Sequence, residues 1–323
     1  MGIVKISDLM HENLRIASTA LSRSINAQAE HWMKIGMLAE LYPQLSHQEL
    51  TRLLMRVERN RAMSIKLHTA EEIERARAAG HAAAKVLEMI APWVKPGVTT
   101  DELDRRCHDY IVSELKVIPA NIGYQGYTRT VCTSVNHVVC HGIPGEKKLK
   151  DGDIVNIDVA VIKDGWYGDT SRMYFVGQPS VRAKRLVDVT YESMVAGIRV
   201  VKPGATLGDI GAAIQQVAEK AGFSVVREYC GHGVGEIYHS DPQILHYGTP
   251  GQGLALQAGM IFTIEPMINA GKAGTSVLSD GWTVVTKDRS LSAQWEHTIA
   301  VTDTGFDLLT PWPEGTGDYA AIV

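Results

Sequence analysis

The residues able to do chemistry lie in a few short stretches. The first is Ile154 to Met173, IVNIDVAVIKDGWYGDTSRM, which reads as a β-hairpin with one carboxylate in each arm. Lys163-Asp164-Gly165 supplies the turn signal, and runs rich in Val and Ile flank it. A turn centred on Lys163 and Asp164 sets Asp158 directly opposite Asp169, with both side chains on one face and Cβ atoms about 5 Å apart. Two carboxylates that close repel each other unless one is protonated or a cation sits between them. The neighbours of Asp158 on its face are Asn156 and Ala160, not Lys or Arg. A metal pair fits this spacing; so does a solvated hairpin with two surface acids.

Two more polar residues stand where strands or loops need none. Glu296 lies inside QWEHTIAV, otherwise a strand-like run, and His232 lies in CGHGVG, a glycine-rich turn that can hold an imidazole rigidly. Alone, each has a plain explanation: a buried, hydrogen-bonded Glu and a loop His.

A repeat adds the fifth residue. Val94-Lys95-Pro96-Gly97-Val98-Thr99 recurs as Val201-Lys202-Pro203-Gly204-Ala205-Thr206, and the same offset of 107 carries GDIVNID at Gly152–Asp158 onto GMIFTIE at Gly259–Glu265. That period is far too long for a solenoid. It implies two α+β halves related by a pseudo-two-fold axis, with Glu265 placed across from Asp158. Four carboxylates and one imidazole over-supply a single catalytic ion and suit two divalent first-row ions.

The elements that position these groups follow from caps and periodicity. Thr69-Ala70-Glu71-Glu72 opens a long amphipathic helix through about Ile90, and Pro96-Gly97 ends it. Thr99 or Thr100 caps a helix through about Leu115; another carries Leu186, Val189, Met194 and Ile198, and a further one runs from Leu207 to Ala221. Strand-like runs cover 260–265, 283–286 and 295–301, and the tail beyond Trp312 has little to bury.

Residues 1 to about 60 differ in style. Gly2–Ser7 alternates as a short strand, Ser7 caps a helix from Asp8 to about Ala20, and Ser24 caps a second with Ile25, Ala29, Trp32, Ile35 and Ala39 on one face. Pro43 interrupts, Ser46-His47-Gln48-Glu49 is a capping box, and RVERNRAMS at 56–64 reads as a linker. One strand and two helices cannot bury a core alone, so pairing the strands of two copies is the natural solution. That is the ribbon–helix–helix arrangement, in which outward strand residues, here Lys5 and Ser7, would reach bases. The segment is only slightly basic, with eight Lys plus Arg against six Asp plus Glu over 1–63.

Over the whole chain of 323 residues the net charge is −4 and 45% is hydrophobic, which gives no global argument for nucleic acid or membrane binding. No apolar run is long enough to span a bilayer, no signal-peptide core is present, and Ile6 stands where a myristoylation motif needs Ser or Thr. A cytoplasmic location is expected, with Cys107, Cys132, Cys140 and Cys230 as free thiols.

The stretches VVCHGIPG, NIDVAVIKDGWYGDTSRM, YCGHGVG, FTIEPM and DGWTVVTKDRSLSAQWEHT together resemble type I methionine aminopeptidases, over residues 64–312. The first 55 or so residues, and above all RSINAQAEHWMKIGMLAE, resemble ParD-like antitoxins. The resemblances imply an α+β pita-bread fold over 64–312, a small ribbon–helix–helix-like domain over 1–60, and a loose tail over 313–323. They imply a cytoplasmic, metal-dependent aminopeptidase that takes N-terminal Met off nascent proteins when the second residue is small. Asp158, Asp169, His232, Glu265 and Glu296 would ligate two divalent ions (Co, Mn, Fe or Zn), with Asp169 and Glu296 bridging. Glu265 would shuttle a proton, His141 and His239 would contact the peptide, and Tyr124, Tyr127, Cys132, Cys140, Tyr238 and Trp282 would shape the methionine pocket. The first domain would form a homodimer or bind DNA or a toxin. Some positions depart from the pattern: Tyr238 stands where Phe is usual, Asn121 and Gln125 replace a Cys and a His, Thr128 replaces a Pro, and Ser240-Asp241 replaces two acidic residues. The alternatives are an Xaa-Pro exopeptidase of the same fold and a non-catalytic binding or regulatory protein.

Overall fold

The computed structural model describes residues 7–20, 25–53 and 65–311. The chain divides into two compact units, Met1–Ile65 and Lys66–Val323.

In the first unit, helix α1 spans Asp8–Ala20 and helix α2 spans Ile25–Leu41. The Met10 amide donates to Ser7 Oγ at 3.2 Å, as expected of a cap. A third helix, α3, covers residues 47–53, and its capping box is closed both ways: Ser46 N donates to Glu49 Oε2 and Glu49 N to Ser46 Oγ. The sheltered side of α2 runs through Gln28, His31, Ile35 and Leu38, whereas Trp32 and Ala39 are exposed. That differs from the expected face by a small rotation about the helix axis, because the polar Gln28 is fully buried. The expected strand at Gly2–Ser7 (Ser7 itself excepted), the cap at Ser24, the linker at 56–64 and the tail lie outside the described residues.

In the second unit, α4 (Ala70–Ile90) begins with a complete capping box between Thr69 and Glu72. Helices α5 (Thr100–Asp109), α6 (Val181–Arg199) and α7 (Leu207–Lys220) follow, capped by Thr99, Ser180 and Thr206 respectively. The long hairpin forms strands Ile154–Lys163 and Trp166–Phe175. Along its first arm, Val155, Ile157, Val159 and Val161 are buried in one apolar cluster with Ala83, Val86, Leu87 and Ile90 of α4 and Leu103 of α5. Alternation along the strand then turns Asn156 and Asp158 to the opposite face. The helix covers one side of the sheet, and that burial frees the other side for chemistry.

The repeat is structural. Gly97 N donates to Leu149 O at 2.8 Å and Gly204 N to Leu256 O at 2.9 Å, so the same bond recurs at the same offset. Thr99 bridges Lys148 as Thr206 bridges Ala255. The equivalents of the long hairpin in the second half are interrupted strands: Ile261–Ile264 with Met267–Asn269, paired to His297–Val301 and Ser292–Gln294. The expected single strand over 295–301 is therefore broken before His297, at Trp295 and Glu296.

Helix and hairpin approach closely at Gly168. A Cβ there would lie 2.2 Å from the Ala79 carbonyl oxygen and 2.6 Å from the Gly80 amide nitrogen, both backbone atoms. Gly168→Ala must push α4 away from the sheet. We expect a loss of about 2–3 kcal/mol, read as a lower denaturation midpoint; an unchanged midpoint would show that the contact is not tight.

Candidate metal centre and active site

The hairpin turn centres one residue later than the sequence reading placed it. Asp164 and Gly165 both have positive φ (50° and 83°), the signature of a two-residue type I′ turn. The register consequently sets Asp158 opposite Ser171 and Asp169 opposite Ala160. Asp158 and Asp169 are diagonal neighbours, not direct partners, yet still share a face. Moving a turn by one residue shifts the pairing by two, and side-chain direction repeats every two residues.

His232 sits at the centre of a short strand, Gly231–Gly233, where a turn was expected. Its flanking glycines allow close approach: a Cβ on Gly231 would meet Thr263 O at 2.4 Å, and one on Gly233 would meet Asp241 O at 2.3 Å. His232 is thus clamped between two strands, and its amide donates to Thr263 Oγ1 at 3.0 Å. The register that pairs Ile264 with His297 and Met267 with Gln294 brings Glu265 and Glu296 opposite each other at the strand break. Glu296 also bridges to Ser171 of the first half.

Asp169, His232 and Glu296 each offer a ligand atom, and these atoms all lie within 4.8 Å of one another. His232 Nε2 is 3.5 Å from Asp169 Oδ2 and 3.6 Å from Glu265 Oε1. Asp158 joins them electrostatically. Burial, then the charges of Asp169 and Glu265, push its carboxyl well above the usual range. Glu296 is raised by burial, then by Asp169, Glu265 and Asp158, and Glu265 is raised by burial and Asp169 to about 7. Carboxylates that raise one another in a buried site form an incomplete electrostatic unit, and divalent cations relieve that strain. The donor chemistry therefore fits metal ions. Of the five residues singled out from the sequence, Asp169, His232, Glu265 and Glu296 come together here by distance, and Asp158 is linked to them through its charge.

A second layer holds the ligands. Thr263 Oγ1 donates to Glu265 Oε1 at 2.8 Å, and Gln294 Nε2 donates to Glu265 Oε2 at 3.2 Å. Thr170 Oγ1 donates to the Glu296 carbonyl and Thr298 Oγ1 to the Asp169 carbonyl, both at 2.7 Å. Asn156 Nδ2 donates to Ser171 Oγ and to Gln294 O, tying the two halves. The sequence reading did not assign these residues. Ser171 and Thr263 were within reach of it, since each lies two positions from a ligand on an alternating strand.

The pocket residues surround this cluster. Cys132 pairs with Asp158 across the sheet, and Cys140 pairs with Val284; both thiols are buried, which pushes them well above their usual range. Tyr127 meets Trp282 edge-on at 4.9 Å, and Trp282 meets His141 at 6.1 Å. His141 holds a left-handed backbone (φ 56°), and burial lowers it to about 4. Tyr124 stacks on His239 at 5.1 Å, and the rings of His239 and His232 lie 4.0 Å apart. His239 is open to solvent on one side and packed on the other. That packing, then His232 and His141, hold it near 3, so it is neutral at physiological pH and one ring nitrogen carries a donor proton. Gln125 is exposed, and its Nε2 donates to Tyr124 Oη at 3.2 Å.

Residues 74–303 match metallopeptidase family M24. The chain belongs to that family. Residues 1–73 match the ParD-like antitoxins of type II bacterial toxin-antitoxin systems. Against a methionine aminopeptidase of Salmonella typhimurium, this M24 chain is 61% identical over 249 residues, which is 77% of this chain and 94% of the relative. The crystal structure of a methionine aminopeptidase from Rickettsia prowazekii superimposes with TM-score 0.75 at 58% identity, covering 76% of this chain and 99% of that one. The methionine aminopeptidase of Thermotoga maritima gives TM-score 0.74 at 44% identity, with coverages of 76% and 99%. The M24 chain is accordingly a metal-dependent aminopeptidase of pita-bread fold, with a ParD-like segment before it. Among its described residues no helix is long and apolar enough to cross a membrane.

Proposed function

We propose that this protein removes the N-terminal methionine from peptides and nascent proteins whose second residue is small. One observation carries the reading: the donor group Asp169, His232 and Glu296, with Glu265 3.6 Å from His232, lies beside aromatic and thiol side chains suited to a thioether. The chain's likeness to methionine aminopeptidases supports it. Asp158, Asp169, His232, Glu265 and Glu296 would hold two divalent ions, drawn from Co, Mn, Fe or Zn. Such ions, when bound, supply Lewis acidity that lowers the pKa of water and polarises a carbonyl.

The protein's own groups do the rest. Tyr124, Tyr127, Cys132, Cys140, Tyr238 and Trp282 enclose the methionine side chain and exclude water. Glu265 carries a proton to the leaving amine nitrogen, its carboxylate held by Thr263 and Gln294. His239 donates its ring N–H to the oxygen that gains charge as the peptide carbonyl becomes tetrahedral. His141 orients the peptide from the opposite wall.

The ParD-like unit is an appended module that pairs with a second copy or with DNA or a toxin; the curated relative from Salmonella typhimurium corresponds to 77% of this chain, over 249 residues. The test combines both claims. Full-length protein and a variant lacking residues 1–63 are assayed on Met-Ala-Xaa and Xaa-Pro peptides, with chelator and after return of each metal, and their masses are read by light scattering. Both should cleave Met-Ala-Xaa only with metal, and only the full chain should form the larger assembly. Cleavage that survives chelation, or preference for Xaa-Pro, refutes the enzyme reading. An inactive but folded truncation refutes the appended-module reading.

A further inference from the structure

Two of the positions that depart from the aminopeptidase pattern turn out to be partners. Tyr238 Oη donates to Asn121 Oδ1 at 2.7 Å, across 117 residues of sequence. Both side chains are buried, at 7% and 6% exposure. Asn121 comes from the first half of the fold and Tyr238 from the second. Asn121 Nδ2 also donates to Thr130 O at 3.1 Å, so its amide is satisfied at both ends.

The bond closes a ring of contacts around His239. Asn121 opens a tight loop: its carbonyl accepts from Tyr124 N, Gly123 N donates to Tyr127 O, and Gly123, Gln125 and Gly126 all take positive φ. That loop presents Tyr124, whose ring stacks on His239 at 5.1 Å and meets Tyr238 edge-on at 4.8 Å. Tyr238 in turn lies 4.1 Å from the His239 ring and is backed by Tyr167, stacked on it at 5.0 Å and 13°. His239 itself sits at the solvent-facing end of the site. Among the described residues its imidazole meets its neighbours through ring contacts and not through hydrogen bonds. What fixes the ring is packing, and the packing surfaces are Tyr124, Tyr238 and His232.

We infer that the Asn121–Tyr238 hydrogen bond is a positioning clamp. It locks the Tyr124 loop of one half against the Tyr238–His239 segment of the other and so holds the His239 imidazole for the reaction. This rests on the reading of His239 as a substrate-contacting group. An edge-on or stacked ring held only by apolar contact can slide. A ring whose hydroxyl is bonded to a satisfied amide in a dry site cannot, because sliding leaves a buried donor and a buried acceptor unpaired.

Tyr238→Phe removes one oxygen atom, and Asn121→Leu replaces the amide by an apolar group of similar shape. The clamp predicts that each lowers kcat on Met-Ala-Xaa about tenfold, with bound metal unchanged and KM moved by less than kcat. The double variant should lose about tenfold, not a hundredfold, because both changes break one bond. Asn121→Ser, a smaller change that retains a hydroxyl acceptor, should fall between Asn121→Leu and the unaltered protein, and it serves as a second probe if the leucine variant does not fold. Variants that melt earlier but keep kcat would show a merely structural bond and overturn the clamp. Multiplicative losses in the double variant would overturn it as well. An unaltered protein that fails to cleave Met-Ala-Xaa would remove the activity reading and the clamp together, whereas an active protein with insensitive variants removes the clamp alone.

Discussion

Glu296→Gln should abolish metal binding at the centre and lower hydrolysis of Met-Ala-Xaa by about a thousandfold or more. Glu296 is 2% exposed, and its carboxylate oxygen lies within 4.8 Å of the ligand atoms of Asp169 and His232. A neutral amide of the same shape keeps the packing and removes the charge. The change should have the opposite effect on the stability of the metal-free fold. Burial, then Asp169, Glu265 and Asp158, raise the Glu296 pKa in the folded state, so the native protein holds that proton more tightly than the unfolded chain does. Stability from such a group is present below its unfolded pKa of about 4.5 and declines as pH rises through the folded value. Glu265 adds the same trend between 4.5 and about 7, and Asp158 acts in the same direction. Metal-free protein should therefore weaken as pH rises from about 5 toward neutrality, and Glu296→Gln should lessen that fall while the enzyme is dead. Metal analysis and denaturation of chelated protein across pH check both arms. Full metal occupancy in the variant would remove Glu296 from the ligand set.

The second large effect concerns a residue outside the ligand set. His239→Ala should lower kcat by about 10²–10³ while leaving metal content unchanged. The imidazole is neutral and packed between Tyr124 and Tyr238, which presents a ring N–H to the substrate without the cost of a buried charge. The prediction is exacting because the His239 and His232 rings are only 4.0 Å apart. Removing one ring could loosen the other. His232 is anchored independently, however, by its amide bond to Thr263 and by the glycines on either side. Metal analysis on the purified variant separates the two outcomes: metal lost with activity would make His239 a support for the centre and not a group that meets substrate.

The sequence by itself determined the local parts and the parity of the site. Capping boxes at Thr69 and Ser46 and the cap at Thr99 are local bonds between residues three apart, so composition and spacing suffice to place them. The offset of 107 carried Asp158 onto Glu265, and the structure repeats the same backbone bonds at that offset. The common face of Asp158 and Asp169 was equally legible, because strand alternation survives an error of one residue in the turn.

The tertiary structure decided what depends on register and on distant segments. Whether Asp158 faces Asp169 directly or diagonally is set by the positive φ of Asp164 and Gly165, a choice settled by strand twist rather than by hydrophobic pattern. The strand break at Trp295 and Glu296 turns the Glu296 backbone toward Ser171 as well as Glu265, and the strand-like run QWEHTIAV hides that break. The buried side of α2 followed a polar residue, Gln28, that periodicity alone assigns to the surface. The Asn121–Tyr238 bond is the furthest of these from the sequence. Each residue taken singly is a tolerated change on a pocket rim, and only the closing of two half-domains brings a phenol donor and an amide acceptor to 2.7 Å with both side chains buried.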